Sequence, residues 1–147
     1  ASKALPIKCL PQSFYRRIQR FSAGQYFDYR QISQLIFNMF SFDKVQLTLD
    51  RTNWKWGKRN INILMLAIVY RGIAIPILWT LLNKRGNSDT KERIALIQRF
   101  IAIFGKDRIV NVFADREFIG EQWFTWLIEQ DINFCIRVKK TSLSPII

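Results

Sequence analysis

Two aspartates in this chain stand directly after apolar runs. Asp50 follows Val45-Gln46-Leu47-Thr48-Leu49, and Asp115 follows a second run that ends Val112-Phe113-Ala114. If the two runs are neighbouring parallel strands, both carboxylates leave the same end of one sheet. Closely spaced anionic oxygens are the ligands that hard divalent cations such as Mg²⁺ or Mn²⁺ take. With two ions held there, one can activate a water or a 3′-hydroxyl while the other stabilises the leaving oxygen of an in-line phosphoryl transfer. Either aspartate alone is explained as well by a turn or a helix cap, and an Asp-Arg pair by a surface ion pair. Their shared position after two strands favours a metal site at Asp50 and Asp115.

The surroundings suit a polyanionic substrate. Lysine and arginine number 23 against 11 acidic residues, a net charge of +12, and nucleic acid is the commonest partner for such an excess. Arg51, Arg116, Lys139 and Lys140 flank the two aspartates and are candidates to hold phosphates, or else solvated charges. Trp54, with Trp56 beside it, can stack on an unpaired base, or else pack in the core or stand partly exposed beside a strand end. Other chemistries are excluded. The chain has no histidine, so serine–histidine triads and histidine-ligated zinc are out. Cys9 and Cys135 have no metal-ligand spacing and read as reduced, buried thiols of a cytosolic protein.

The elements that must position these residues are readable in order. Pro11–Phe40 is basic and helical, with Phe14, Ile18 and Phe21 at helical spacing and then Ile32, Leu35, Ile36 and Met39 on one side of a second helix. From Val45 to Leu49 apolar and polar residues alternate, which predicts a strand ending on Asp50. Asn60–Tyr70 is apolar nearly throughout, as in a strand covered on both faces. Arg71-Gly72 turns the chain back into Ile73–Leu81, where Pro76 requires a sheet edge or a bulge. Ser88 or Asp89 can cap a helix with Glu92 in its first turn, a stripe of Ile94, Ile97, Ile101 and Phe104, and Gly105 as its stop. A strand over 109–113, a short helix over Gly120–Gln130 with Trp123, Trp126 and Leu127 inward, and a strand over 132–138 follow.

Strand–strand–strand–helix–strand–helix–strand, with right-handed crossovers, gives a mixed five-stranded sheet with flanking helices in the α/β class. At 147 residues and 49% hydrophobic residues, one compact unit with a sizeable core is expected. Its division is a helical N-terminal segment, 1–43, and a core, 44–147. The apolar stretch 61–82 is long enough to cross a bilayer, but Arg71 at its centre would cost roughly 2.5–3.5 kcal/mol there. A hairpin is the better fit. Residues 1–10 lack the pattern of a secretion signal.

Taken in order, Leu49-Asp50-Arg51-Thr52-Asn53-Trp54, Gly72-Ile73-Ala74-Ile75-Pro76, Gly86-Asn87-Ser88 and Asp115-Arg116-Glu117-Phe118-Ile119-Gly120 resemble bacterial insertion-sequence transposases. More narrowly they resemble the insertion-sequence family numbered four, over about Tyr15–Lys140. That resemblance implies a ribonuclease H-like fold and an Asp-Asp-Glu catalytic triad, with Asp50 and Asp115 matching its first two members. It implies Mg²⁺- or Mn²⁺-dependent DNA cleavage and strand transfer at transposon ends by the complete protein. It also implies DNA as partner, with a homodimer on DNA as one arrangement, in the bacterial cytoplasm at the nucleoid. The family's third carboxylate lies in a Tyr-x-x-Arg-x-x-x-Glu-x-x-x-x-x-x-Lys run that is missing here, and Glu117, Glu121 and Glu129 do not replace it. The 147 residues are therefore expected to be a fragment that is inactive alone. The alternatives are a non-catalytic DNA-binding remnant of a decayed transposase and an unrelated structural α/β domain.

Overall fold

The computed structural model describes residues 11–24 and 27–138. Helices α1 (Pro11–Gly24) and α2 (Tyr29–Met39) come first. They are followed by β1 (Val45–Trp56), β2 (Arg59–Tyr70), β3 (Ile73–Leu81), α3 (Thr90–Phe104), β4 (Ile109–Ala114), α4 (Glu121–Glu129) and β5 (Phe134–Ile136). The strands make one sheet in the order β3-β2-β1-β4-β5. The three-strand meander is antiparallel, and β4 and β5 join parallel to β1 through α3 and α4.

Alternation along the strands decides which residues meet the helices. Leu47 and Leu49 of β1, Leu64, Leu66 and Ile68 of β2, and Val112 and Ala114 of β4 face one way by register. They are buried with Leu96, Ile97 and Phe100 of α3 and Trp123 and Leu127 of α4 in a single core. At about 25 cal/mol per Å² of apolar surface, each of the Leu, Ile, Val and Phe side chains among them contributes some 1.5–3 kcal/mol when fully covered.

Local rules account for the connections. Arg71 and Gly72 both have positive φ, 48° and 80°, as the two-residue hairpin turn between β2 and β3 requires. Pro76 does lie on an edge strand, and the β2–β3 register shifts between Leu66 and Ala67, next to the Ala67–Pro76 pair. Asp89 and Glu92 form a complete capping box at the start of α3, and Gly105, at φ 95°, ends it. The stretch 61–82 is this hairpin, and among the described residues no helix is long and apolar enough to cross a membrane.

Four details differ from the sequence expectation. Strand β1 does not end at Asp50 but runs on to Trp56, because β2 pairs with it all the way to the Gly57-Lys58 turn. In α2 the inward residues are Ser33 and Phe37, whereas Leu35 and Met39 are 60% and 70% exposed. Phe37 stacks on Phe104 at the end of α3, and Tyr29 meets Trp79 of β3 edge-on, so α2 is docked by its aromatic rings. Strand β5 is three residues long, shorter than 132–138. Cys135 is exposed rather than buried, because it sits on the sheet face opposite the core; Cys9 lies outside the described residues.

Candidate active site

The pairing of β1 with β4 is parallel, and its last rung is Leu49 with Ala114. Asp50 and Asp115 are the next residue on each strand. Both therefore follow the last rung at the same end of the β1–β4 ladder, and both are exposed to solvent. Each aligns its carboxylate in the same way. Asp50 Oδ1 accepts the Arg51 backbone N–H at 2.7 Å, and Asp115 Oδ1 accepts that of Arg116 at 2.9 Å. In both cases the second oxygen has no bond to the backbone of its own turn. Asp115 also caps the 3₁₀ turn Arg116–Phe118, so it serves the local fold as well.

Behind the pair lies a network that joins four separate segments. Arg51 Nε donates to Glu117 Oε2 at 2.9 Å, Nη1 to Asn62 Oδ1 at 3.2 Å, and Nη2 to Asn87 Oδ1 at 3.3 Å. Asn62 is 2% exposed, and its Nδ2 donates to the carbonyls of Lys84 and Gly86. The residue after Asp50 is thus locked to the residue two beyond Asp115 and to the loop between β3 and α3.

A second arginine continues this support. Arg93 of α3 is 5% exposed; its Nε donates to Ser88 Oγ, and its Nη2 to the carbonyls of Ser88 and Glu117. Its guanidinium also lies over the Phe118 ring, 5.1 Å from the centroid. Burial lowers the Arg93 pKa from its ordinary value, and the charges of Glu117, Asp89 and Glu92 oppose that shift. Asn62, Ser88 and Arg93 were not singled out from sequence as site residues. A lone asparagine inside the apolar run Ile61–Tyr70 and an arginine on the packed side of α3 were the available signals.

Residues 41–143 of the chain, well over half of it, match the family described as the transposase DDE domain. The chain belongs to that family. Among solved structures, this DDE domain is similar to the HTLV-2 integrase catalytic core domain in complex with magnesium in its trimeric form. The identity is 14% and the TM-score 0.50, covering 65% of this chain and 61% of that one. It is also similar to a simian T-cell lymphotropic virus intasome, at 15% identity and TM-score 0.51 over 67% of this chain and 36% of that one. The catalytic domain of Mos1 mariner transposase matches 80% of this chain and 61% of its own, at 11% identity and TM-score 0.47. The DDE domain here thus spans about three-fifths or less of the length of these structures. No curated protein matches its sequence. The fold is the ribonuclease H-like fold of integrases and transposases, and family membership disposes of an unrelated structural domain.

The other candidate residues of the DDE domain fall in different places. Arg116 is exposed beside Asp115, while three of the Arg51 donors are engaged by protein acceptors. Trp54 and Trp56 are 57% and 78% exposed on the β1–β2 hairpin, which removes core packing as their role. Lys139 and Lys140 lie outside the described residues. Glu117 is turned to Arg51, and Glu121 and Glu129 stand together with Lys91 along a groove between α3 and α4. Among the described residues no cluster of three acidic, cysteine or histidine side chains is assembled. Exposed carboxylates, each oriented by a neighbouring amide, are the ligand type that a Mg²⁺-type ion takes. Such ions are commonly held by one or two carboxylates, with waters and substrate phosphates completing the shell.

Proposed function

We propose that Asp50 and Asp115 are metal-binding, catalytic carboxylates of a DNA transposase that cuts and joins strands at transposon ends. The observation that supports this most is the β1–β4 ladder, whose final rung delivers both aspartates to one end of the sheet in a chain of the transposase DDE family. The bound Mg²⁺ or Mn²⁺ would supply activation of the attacking oxygen and charge neutralisation at the leaving one. The chain's own residues hold and aim. The Arg51 and Arg116 amides orient the two carboxylates, and the Arg51–Glu117 pair fixes the spacing of the strand ends that carry them. Arg116, Lys139 and Lys140 hold DNA phosphates and Trp54 an unpaired base, whereas Arg51 acts as a positioning residue.

The finer assignment is to the insertion-sequence family numbered four, with a helical segment 1–43 ahead of a catalytic core 44–147, acting on DNA in the bacterial cytoplasm. A homodimer on DNA suits the two ends of a transposon. Among the described residues no third carboxylate is gathered with Asp50 and Asp115. The transposase reading requires a further carboxylate, whereas a DNA-binding remnant without chemistry does not.

Cleavage of transposon-end DNA separates the two. Residues 1–147 should not cut with Mg²⁺ or Mn²⁺, whereas a chain extended through a downstream glutamate helix should. Asp50→Asn or Asp115→Asn in the extended chain should abolish cutting and leave DNA binding in place. Undiminished cutting with either aspartate replaced would remove both from the catalytic site. No cutting by the extended chain would leave the remnant.

A further inference from the structure

We propose that the far end of the β1–β2 hairpin is a single-stranded DNA clamp, in which Trp54 and Trp56 stack on unpaired bases leading away from the two aspartates. Strand β4 leaves β1 after Leu49, and β3 leaves β2 after the Ile63–Leu81 pair. From Trp54 to Ile61 the hairpin is therefore a two-stranded ribbon with no third strand paired to it, while at its base the Leu82 N–H still donates to the Asn62 carbonyl. Gly57, at φ 59°, closes it with a two-residue turn.

An isolated ribbon would be expected to carry polar residues at its tip, since it has no core to pack against. This one carries two tryptophans, 57% and 78% exposed. Side chains alternate along a strand, so Asp50, Thr52, Trp54 and Trp56 share one face. At about 3.3 Å per residue, Trp54 lies roughly 13 Å beyond Asp50, and Trp56 roughly 20 Å. Those distances correspond to about four and six steps of a DNA strand at 3.4 Å.

Charge selects the occupant. The segment from Arg51 to Ser88 contains seven lysines and arginines and not one aspartate or glutamate. Lys55, Lys58 and Arg59 are exposed at the hairpin end, and Arg59 is the cross-strand partner of Trp56. Arg85 lies against the side chain of Asn60, which faces Lys55 across the ribbon; with the Asn60 amide turned to accept, Arg85 Nε donates to it at 2.7 Å. Aromatic faces flanked by unpaired cations are the means by which proteins track an unpaired strand, the rings taking bases and the cations phosphates. A duplex offers its phosphates to the lysines but keeps its base faces stacked away from the tryptophans.

This inference rests on DNA being the partner, and its test avoids metal so that catalysis does not enter. Fluorescence anisotropy in EDTA would compare a mixed-sequence 20-nucleotide single strand with the blunt duplex of the same sequence. The doubly substituted Trp54→Ala/Trp56→Ala chain should lose about tenfold or more in affinity for the single strand, with duplex affinity within about twofold and an unchanged unfolding midpoint. Trp54→Phe/Trp56→Phe should recover most of the loss. Equal losses on both probes, or none on the single strand, would overturn the clamp while leaving the proposed transposase function standing. A parent chain that binds neither probe at low salt would overturn both. A self-associated form that dissociates on alanine substitution, with single-strand affinity unaltered, would make the hairpin a contact between copies and overturn the clamp.

Discussion

The Arg51 guanidinium donates Nε–H to Glu117 Oε2 at 2.9 Å, joining the residue after Asp50 to the short turn opened by Asp115. Their side chains are only 16% and 23% exposed, so the pair is screened less than a surface ion pair. It also does what the sheet cannot. Ladder pairing between β1 and β4 stops at Leu49 and Ala114, one residue before Asp50 and Asp115. Beyond that rung, side chains must hold the two backbones at a set distance.

A double-mutant cycle on Arg51→Ala and Glu117→Gln measures that tie. Urea unfolding should give a coupling energy of about 1–2 kcal/mol, in the range for hydrogen bonds between charged groups. Arg51→Lys should not restore it, because a lysine cannot reach Glu117, Asn62 and Asn87 together from one planar group. A coupling within about 0.3 kcal/mol of zero would mean the contact organises nothing.

Metal binding is expected without DNA, though weakly. Calorimetric titration of residues 1–147 with Mn²⁺ should show a site that Asp50→Asn and Asp115→Asn each weaken by more than the roughly tenfold typical of losing an outer-shell partner. Arg116→Ala should leave it nearly unchanged. Equal affinity in all four proteins would detach the aspartates from metal.

With a net charge of +12, duplex affinity should fall steeply and linearly on a log–log plot against salt. Arg116→Ala should lower the slope by about one if that side chain holds one phosphate. An unchanged slope would make Arg116 a solvated charge.

Acid should unfasten α3 first at its start. The Asp89 carboxyl is held below its ordinary value of 3.8, chiefly because the Glu92 backbone N–H donates to it, with Lys84 adding attraction. A carboxyl whose pKa is depressed in the folded chain contributes stability above its unfolded value and loses it as pH falls through the folded value. Unfolding midpoints should therefore drop below about pH 3.8, and Asp89→Ala should be less stable at neutral pH yet flatter across that acid range. Parallel pH curves for the two proteins would remove Asp89 from the acid response.

Elements governed by neighbours in the chain were legible from the sequence. The Arg71-Gly72 turn, the edge position of Pro76 and the Asp89–Glu92 cap each follow from backbone rules that need only a few residues. The order of strands followed from connection lengths. Strand β1 was cut short because burial stops at Leu49, and the pattern of buried residues was the guide. Pairing with β2 carries the backbone on through Thr52 and Asn53 regardless of burial. The packed face of α2 is only half legible in its aliphatic residues: Ile32 and Ile36 are half-buried, but Phe37 and Tyr29 do the docking. Asp50 and Asp115 could be singled out because both follow strands. The lock behind them could not, since Arg51, Asn62, Asn87 and Glu117 come from four separate stretches and meet only through tertiary folding.

Pro76 has one more consequence, for crowding rather than catalysis. It stands exposed on β3, the strand that ends the sheet, without an N–H to offer, and the register shift beside it breaks the flat run of donors and acceptors. A foreign strand meeting that border finds no continuous template, although Ile73 and Leu81 are 61% and 67% exposed and would otherwise invite polymerisation. The opposite border, β5, is only three residues long. Copies of this chain can therefore crowd together without zipping into fibres.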